Sequence, residues 1–584
     1  MSPGPAAGPR PDLLARVGRG VVVGLALAGL ALLASVSCHR AFQVDEIEHL
    51  HGAYHLRAGR ALYAEVWQVH MPLHYGLLAP LIELDDPRAS YHRARALHLV
   101  VVLATALCAA SCAARLARDA CDPALGQQAG EMAGALAAGL LLLHTTFVER
   151  GMEVRADGPL ALCVLATLRL QVGGPGLATA RAVAAGGLLG LGILLTQKAV
   201  FATAAFGAWW SWRAARERRL SRVALPLLGW SLPVAAACFV IGLQGGLAAF
   251  WNDAVLGAAS AAGRGEERLA FSPLGFLLQE GRRNLAFSTL AVLGLVAALV
   301  VALRAARDPG HRARGLVWPV LVATWLLATL WLQPFPWPYV HVTVVPVVAV
   351  VAAATLVPFL ARARAGLARS GWPVAALVLG LQFLTAGPRL FTKALPENGP
   401  TGQEHQLALL EEVQRVTEPD DPVFDLAGLY FRPDGYPAYA LSGDLFRLYR
   451  SGGLPPMVPS LRERGTVAFV YNYRVGWLRG EEREFLHERF AHYAGNLFLL
   501  GRELGTLPAE VDVPFEVLRT KRFRYDGPPL ALLVDGQPFE RGELARGIHV
   551  LRLTRPAVDA RLILDTPQPR PPRIAPARLY VHFD

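Results

Sequence analysis

Four short stretches hold the residues most able to do chemistry. The first, VDEIEHLHGAYHLRAGRALYAEVWQVHMPLHYGLLAP (44–80), opens on Asp45–Glu46. A carboxylate held just beyond an apolar segment can take the proton of an incoming hydroxyl as a general base. On this pair alone, a solvated charge pair at a helix start is the better account. The second stretch, ERGMEVRADGPL (149–160), supplies Arg150, Glu153, Arg155 and Asp157. The third, LLTQKAV (195–201), sets Lys198 between two apolar runs. An ionisable group there is costly, which favours a functional role over a lysine that reaches for the headgroups. Carboxylates beside fixed cations suit a transfer reaction with an anionic leaving group such as a phosphate. The fourth stretch, QPFPWPYVHVTVVP (333–346), adds Tyr339 and His341, read either as an aromatic belt or as a wall for a sugar ring or lipid chain.

His49, His51, His55, His70 and His74 crowd the first stretch, so a divalent metal has to be considered. His49 and His51 stand two apart and face away from each other on a helix, and neither HExxH nor CxxC spacing occurs. The sequence therefore requires no cofactor and leaves a metal open. Walker A, kinase and serine-hydrolase patterns are missing, which disfavours a nucleotide-sugar donor. Six cysteines lie in or beside apolar blocks without a CxxC pair, so no disulfide framework is expected.

The elements that must position these residues are apolar. Hydrophobic residues make up 53% of the 584 and charged residues 18%, and up to about residue 388 they form blocks long enough for a hydrocarbon core of ~30 Å. The blocks run roughly over 17–37, 94–114, 129–147, 158–173, 182–197, 199–212, 223–243, 285–303, 315–332, 341–361 and 372–388. This predicts a mainly α, polytopic bundle of about eleven spans. The net charge of +11 comes from arginine clusters between the blocks, so it argues for cytoplasmic loops and against nucleic acid. Arg115 and Arg118, Arg181, Arg213 to Arg222, Arg304 to Arg314 and Arg362 to Arg369 fall on alternate loops. That alternation predicts the N-terminus inside and the C-terminus outside. Lysine is nearly replaced by arginine, which points to a GC-rich bacterial genome.

Three domains are expected: a transmembrane domain over 1–388, an extracytoplasmic α+β domain over 389–513 and a small β-rich module over 514–584. The first outer loop shows helical periodicity in Ile47, Leu50, Tyr54 and Ala58, then in Leu73, Leu77, Leu78 and Leu81, as amphipathic helices on a membrane would. In the tail, helices are expected near Glu404 to Val416 and Glu481 to Phe490. Strands are expected in 422–428, 466–474, 530–539 and 547–555. Gly186 and Gly190 form a GxxxG, which predicts close helix packing and not a nucleotide loop.

These residues in this order resemble the C-type superfamily of membrane glycosyltransferases, especially its bacterial branch related to protein O-mannosyltransferases and lipid A aminoarabinose transferases. The likeness covers about residues 20–360. It rests on Asp45–Glu46, on GRALYAEVWQVHMPLHYGLLAP (59–80) with its His70 and Tyr75, on Arg155, Asp157 and Pro159, on Lys198, and on PYVHVTVVP (338–346). The resemblance implies an inverting transfer from a polyprenyl-phosphate sugar to a lipid, glycan or protein acceptor outside a bacterial inner membrane. Asp45 would be the base, Glu46 and Asp157 would orient acceptor or metal, and Arg155 and Lys198 would hold the donor phosphate. His70, Tyr75, Tyr339 and His341 would line the substrate pocket. Ala64–Glu65 stands where relatives often carry an Asp, which leaves the roles in that loop open. A polytopic transporter or flippase, or a non-catalytic component of a polysaccharide machine, is the alternative.

Overall fold

The computed structural model describes residues 13–121, 123–172, 178–257, 273–307, 338–363, 371–395, 402–567 and 579–580. The chain forms two compact units, one of Met1–His39, Val69–His74 and Ala94–Leu395, the other of Arg40–Gln68, Tyr75–Arg93 and Pro396–Asp584.

The first unit is helical. Every predicted apolar block within the described residues falls on a helix, and the block at 315–332 lies outside them. Among the described residues, four helices are long and apolar enough to cross a membrane: Leu13–His39, Pro87–Ala120, Ser221–Leu243 and Trp372–Ala394. Leu125–Leu142 and Thr145–Gly151, bent by 66°, make a fifth if counted as one span. Elsewhere the apolar helices Thr179–Leu195, Leu285–Val300 and Val345–Pro358 are shorter. Large apolar side chains point outward, Leu107, Phe239 and Leu243 among them, as in a surface solvated by lipid. The chain is a multi-pass membrane protein.

The GxxxG acts as a packing face. A Cβ on Gly186 would fall 1.8 Å from the carbonyl oxygen of Pro226, one on Gly190 2.4 Å from that of Trp230, and one on Gly229 2.0 Å from that of Val183. Helices Ala178–Leu195 and Ser221–Leu243 thus touch backbone to backbone, which only small residues permit.

The bend after Leu142 frees backbone groups that lipid cannot satisfy. Side chains supply the bonds instead. Gln382 donates to the Leu143 carbonyl at 3.1 Å and to Asn284 Oδ1 at 3.0 Å, and Asn284 Oδ1 accepts from the Thr145 amide at 2.9 Å. Arg389 then grips Glu149 with Nε and Nη2 at 2.5 and 3.0 Å. These bonds fix the short helix Thr145–Gly151, from which the chain continues to Arg155 and Asp157.

The second unit is α+β. Its strands are β1 Val423–Phe424, β2 Ala468–Val470, β3 Phe490–Ala494, β4 Leu497–Glu503, β5 Val513–Val517, β6 Lys521–Asp526, β7 Leu532–Val534, β8 Gln537–Pro538, β9 Arg541–Leu544, β10 Gly547–Leu553 and β11 Arg561–Leu564. One sheet runs β1-β2-β4-β11-β6-β9 with β3 also on β4, and the other runs β5-β10-β7-β8. Among the described strands only β1 and β2 pair in parallel. The expected tail helices appear as Gln403–Val416 and Glu481–Arg489.

The first-loop helix Val44–Arg57 differs from a helix lying on a membrane, because its polar side is buried as well as its apolar one. Glu46, Glu48, His49, His51 and His55 are all buried with Ile47, Leu50 and Tyr54. Tail residues cover the helix: His51 Nε2 meets Asp434 Oδ1 at 2.7 Å, and the Tyr439 hydroxyl donates to the Glu48 carbonyl at 3.3 Å. Gly52 leaves room for Tyr75, whose ring carbon lies 2.5 Å from where a Cβ would stand.

Substitution tests the helix contact. Gly186→Val should lower thermal stability in detergent by an amount on the order of 1–3 kcal/mol, while Gly24→Ala, with nothing within 4 Å of its Cβ position, should not. Equal melting temperatures for both variants and the parent would contradict the contact.

Candidate functional site

In the first unit the site residues gather around one carboxylate. Asp157 begins the helix Asp157–Gln171, where the helix N-terminus favours negative charge, and it is 3% exposed. Lys198 Nζ donates to its Oδ1 at 2.7 Å, and Arg155 Nε lies 3.5 Å from its Oδ2. Lys198 retains 23% side-chain exposure, against 5–6% for the two others. It stands at the break between helices Ala178–Leu195 and Ala199–Glu217. Its neighbour Gln197 ties that break to two backbone carbonyls, those of Val69 and Ala254, at 2.9 Å each. Within this triad two cations meet one carboxylate.

Other expected residues flank the triad on the same unit. His70 lies in the segment whose Val69 is held by Gln197. His74 Nε2 is 3.3 Å from His98 Nε2, which is itself 3.3 Å from the Arg155 carbonyl. The turn Pro338–Thr343 carries Tyr339 and His341 and packs on Thr145–Gly151 and Asp157–Gln171. His341 is buried there.

In the second unit Asp45 sits in the first turn of Val44–Arg57. Arg474 of the tail brings Nη2 to 4.0 Å from Asp45 Oδ1. The guanidinium is fixed by the Leu426 carbonyl on Nη1 at 3.0 Å and the Tyr473 hydroxyl on Nε at 3.1 Å. Glu46 is buried, and its Oε2 accepts from the Gln43 amide at 2.8 Å, closing the helix start. Tyr75 is fully buried edge-on to His49 at 5.5 Å.

A further cluster in this unit joins His51, His55 and Asp434. His51 Nε2 is 2.7 Å from Asp434 Oδ1, and His55 Nε2 is 3.0 Å from Oδ2. Burial alone would push the Asp434 carboxyl up, but the rings of His55 and His51 outweigh it and hold it below the usual carboxylate range. Burial pushes His55 down. Gly428 adopts a left-handed φ of +89°, and a Cβ there would come 2.7 Å from the His51 Cβ. Asp425 secures that turn by accepting from the amides of Ala427, Gly428 and Leu429 at 2.7, 2.5 and 2.8 Å. The acidic group Glu418, Asp420 and Asp421 differs in being answered by Lys521 and Arg519.

Sequence reasoning found Arg155 with Asp157 in one stretch and Lys198 in another, and the ion pairs join them. It missed Arg474 and Asp434, which are distant in the chain from their partners. The His51/His55 spacing of four, which places two rings on one helix face, was the available signal for the cluster.

The cap role of Glu46 separates by substitution. Glu46→Ala should cost about 0.5–2 kcal/mol of stability, whereas Glu46→Gln, which keeps an acceptor oxygen, should fold nearly as well as the parent. Equal stability of Glu46→Ala and the parent, measured by denaturation of the purified chain, would contradict it.

No family model matches the chain, and no curated protein matches it. Among solved structures, ArnT from Cupriavidus metallidurans in the apo state aligns over 78% of this chain and 93% of its own, at 14% identity and a TM-score of 0.49. The same protein bound to undecaprenyl phosphate aligns over 77% and 93%, at 14% identity and a TM-score of 0.48. The apo oligosaccharyltransferase from Archaeoglobus fulgidus aligns over 82% of this chain and 73% of its own, at 13% identity and a TM-score of 0.45.

Proposed function

We propose that the chain is a membrane glycosyltransferase of a bacterial inner membrane, which moves a sugar from a polyprenyl-phosphate donor to an extracytoplasmic acceptor with inversion. The observation that carries this reading is the triad in which Lys198 and Arg155 flank Asp157 beside apolar helices. Asp157 holds the ammonium in place, and Lys198 keeps 23% of its side chain exposed, where a lipid-borne phosphate would meet it. In the reaction Asp45 takes the proton of the acceptor hydroxyl. The oxygen forms a bond to the anomeric carbon, and the bond from that carbon to the phosphate oxygen breaks. Polyprenyl phosphate leaves with the electron pair. Lys198 and Arg155 meet the charge that grows on it, so they act more on the transition state than on the bound donor. The segment carrying His70 and the turn carrying Tyr339 and His341 suit the wall of the donor pocket.

Lys198→Met removes the charge and keeps much of the length. It should lower turnover with a polyprenyl-phosphate sugar by about 10²-fold and change donor binding less. Lys198→Arg should recover only part, because a planar guanidinium presents its donors differently. Full activity of both variants in proteoliposomes would take Lys198 out of the reaction. Asp45→Asn should cost at least on the order of 10²-fold while leaving folding and insertion intact, and near-normal turnover would remove it as the base.

The orientation follows from the arginine loops. Alkaline phosphatase fused after Pro396 should be active and one fused near Arg216 inactive. The reverse pattern would overturn the sidedness and, with it, an extracytoplasmic acceptor.

A further inference from the structure

The His51–His55–Asp434 cluster contains a donor–acceptor conflict that a bound cation would resolve. His51 Nδ1 lies 2.6 Å from the Tyr430 carbonyl oxygen, which can only accept, so Nδ1 carries a hydrogen. In the neutral ring Nε2 is then a bare lone pair. It faces Asp434 Oδ1 at 2.7 Å, itself an acceptor, and His55 Nε2 at 3.0 Å. The three side chains are 0%, 0% and 6% exposed, so water does not relieve the arrangement. A proton on His51 Nε2 would satisfy Oδ1. If His55 Nε2 also carried a hydrogen for Oδ2, two N–H groups would crowd each other across 3.0 Å.

We propose that His51, His55 and Asp434 hold one divalent transition-metal ion of the zinc class. Atoms 2.7 to 3.0 Å apart can all be reached by one ion at ~2.0–2.2 Å from each. The ring nitrogens come from positions four apart on one helix face. Two imidazoles and one carboxylate are donors that suit zinc-class ions. The Tyr430 carbonyl on His51 Nδ1 orients the ring as outer-shell acceptors do in such sites, and the Tyr430 hydroxyl, 3.2 Å from Asp434 Oδ1, steadies the carboxylate. Gly428 lets the tail pass close enough to His51 for this to form. Since the ligands are buried, the ion fastens helix Val44–Arg57 to the tail segment 430–434 and does not act on substrate.

The test is metal analysis of the purified full-length chain in detergent, as isolated and after stripping with a chelator and titration with Zn2+ or Co2+. About one equivalent of zinc-class metal is expected, with visible ligand-field absorption on Co2+ loading and a lower melting temperature after stripping. Asp434→Asn and His55→Gln should each weaken Zn2+ binding by at least about 10-fold, within the range for lost ligands and their supports. A folded parent chain that binds neither ion would overturn the proposal and leave a buried His51–Asp434 ion pair in its place. So would variants that bind Zn2+ as tightly as the parent. The parent measurement decides the matter even if a variant fails to fold.

Discussion

A charge taken out of water has to be answered within contact distance, and in this chain that requirement fixes where the polar residues can stand. Asp157 is held by Lys198 and Arg155, and Glu149 by Arg389. In the other unit Asp434 meets His51 and His55, and Arg474 approaches Asp45. Apart from Arg155, which stands two residues before Asp157, each partner comes from a segment far away in sequence. The apolar blocks supply the mass of the first unit, but the ion pairs and the Gln382–Asn284 clamp set how its helix breaks are held. A break without such partners would leave backbone groups unsatisfied in lipid.

This constraint also separates the site residues by kind. Lys198 is partly exposed although it is bound to a carboxylate, so its charge is positioned without being sealed off. Glu46 is sealed, and its oxygen is engaged by a backbone amide. Neighbours in sequence can thus have opposite duties: Asp45 keeps 23% side-chain exposure beside a fixed guanidinium, while Glu46 closes the helix.

Composition made the helical unit legible, because long apolar runs have few alternatives to helices in lipid. The GxxxG spacing made the contact of Ala178–Leu195 with Ser221–Leu243 legible, since only missing side chains let carbonyls come that close. Asp157 and Lys198 were each readable as charges in costly places, but their bond was not, being 41 residues long in sequence. The polar face of Val44–Arg57 was misleading. Period alone makes it a surface helix, whereas tail residues such as Tyr439 and Asp434 bury it. Helix lengths also depart from block lengths: Asp157–Gln171 has 15 residues, so hydropathy alone did not give the number of full crossings.

The most direct test of the account is a transfer assay with the purified chain in proteoliposomes. These would be loaded with a panel of polyprenyl-phosphate sugars and supplied with an envelope extract as acceptor. Mass spectrometry would follow the lipid phosphate. The account predicts that one donor is converted to free polyprenyl phosphate while a component of the extract gains the mass of its sugar with inverted configuration. A folded chain that leaves every donor in the panel intact would contradict it.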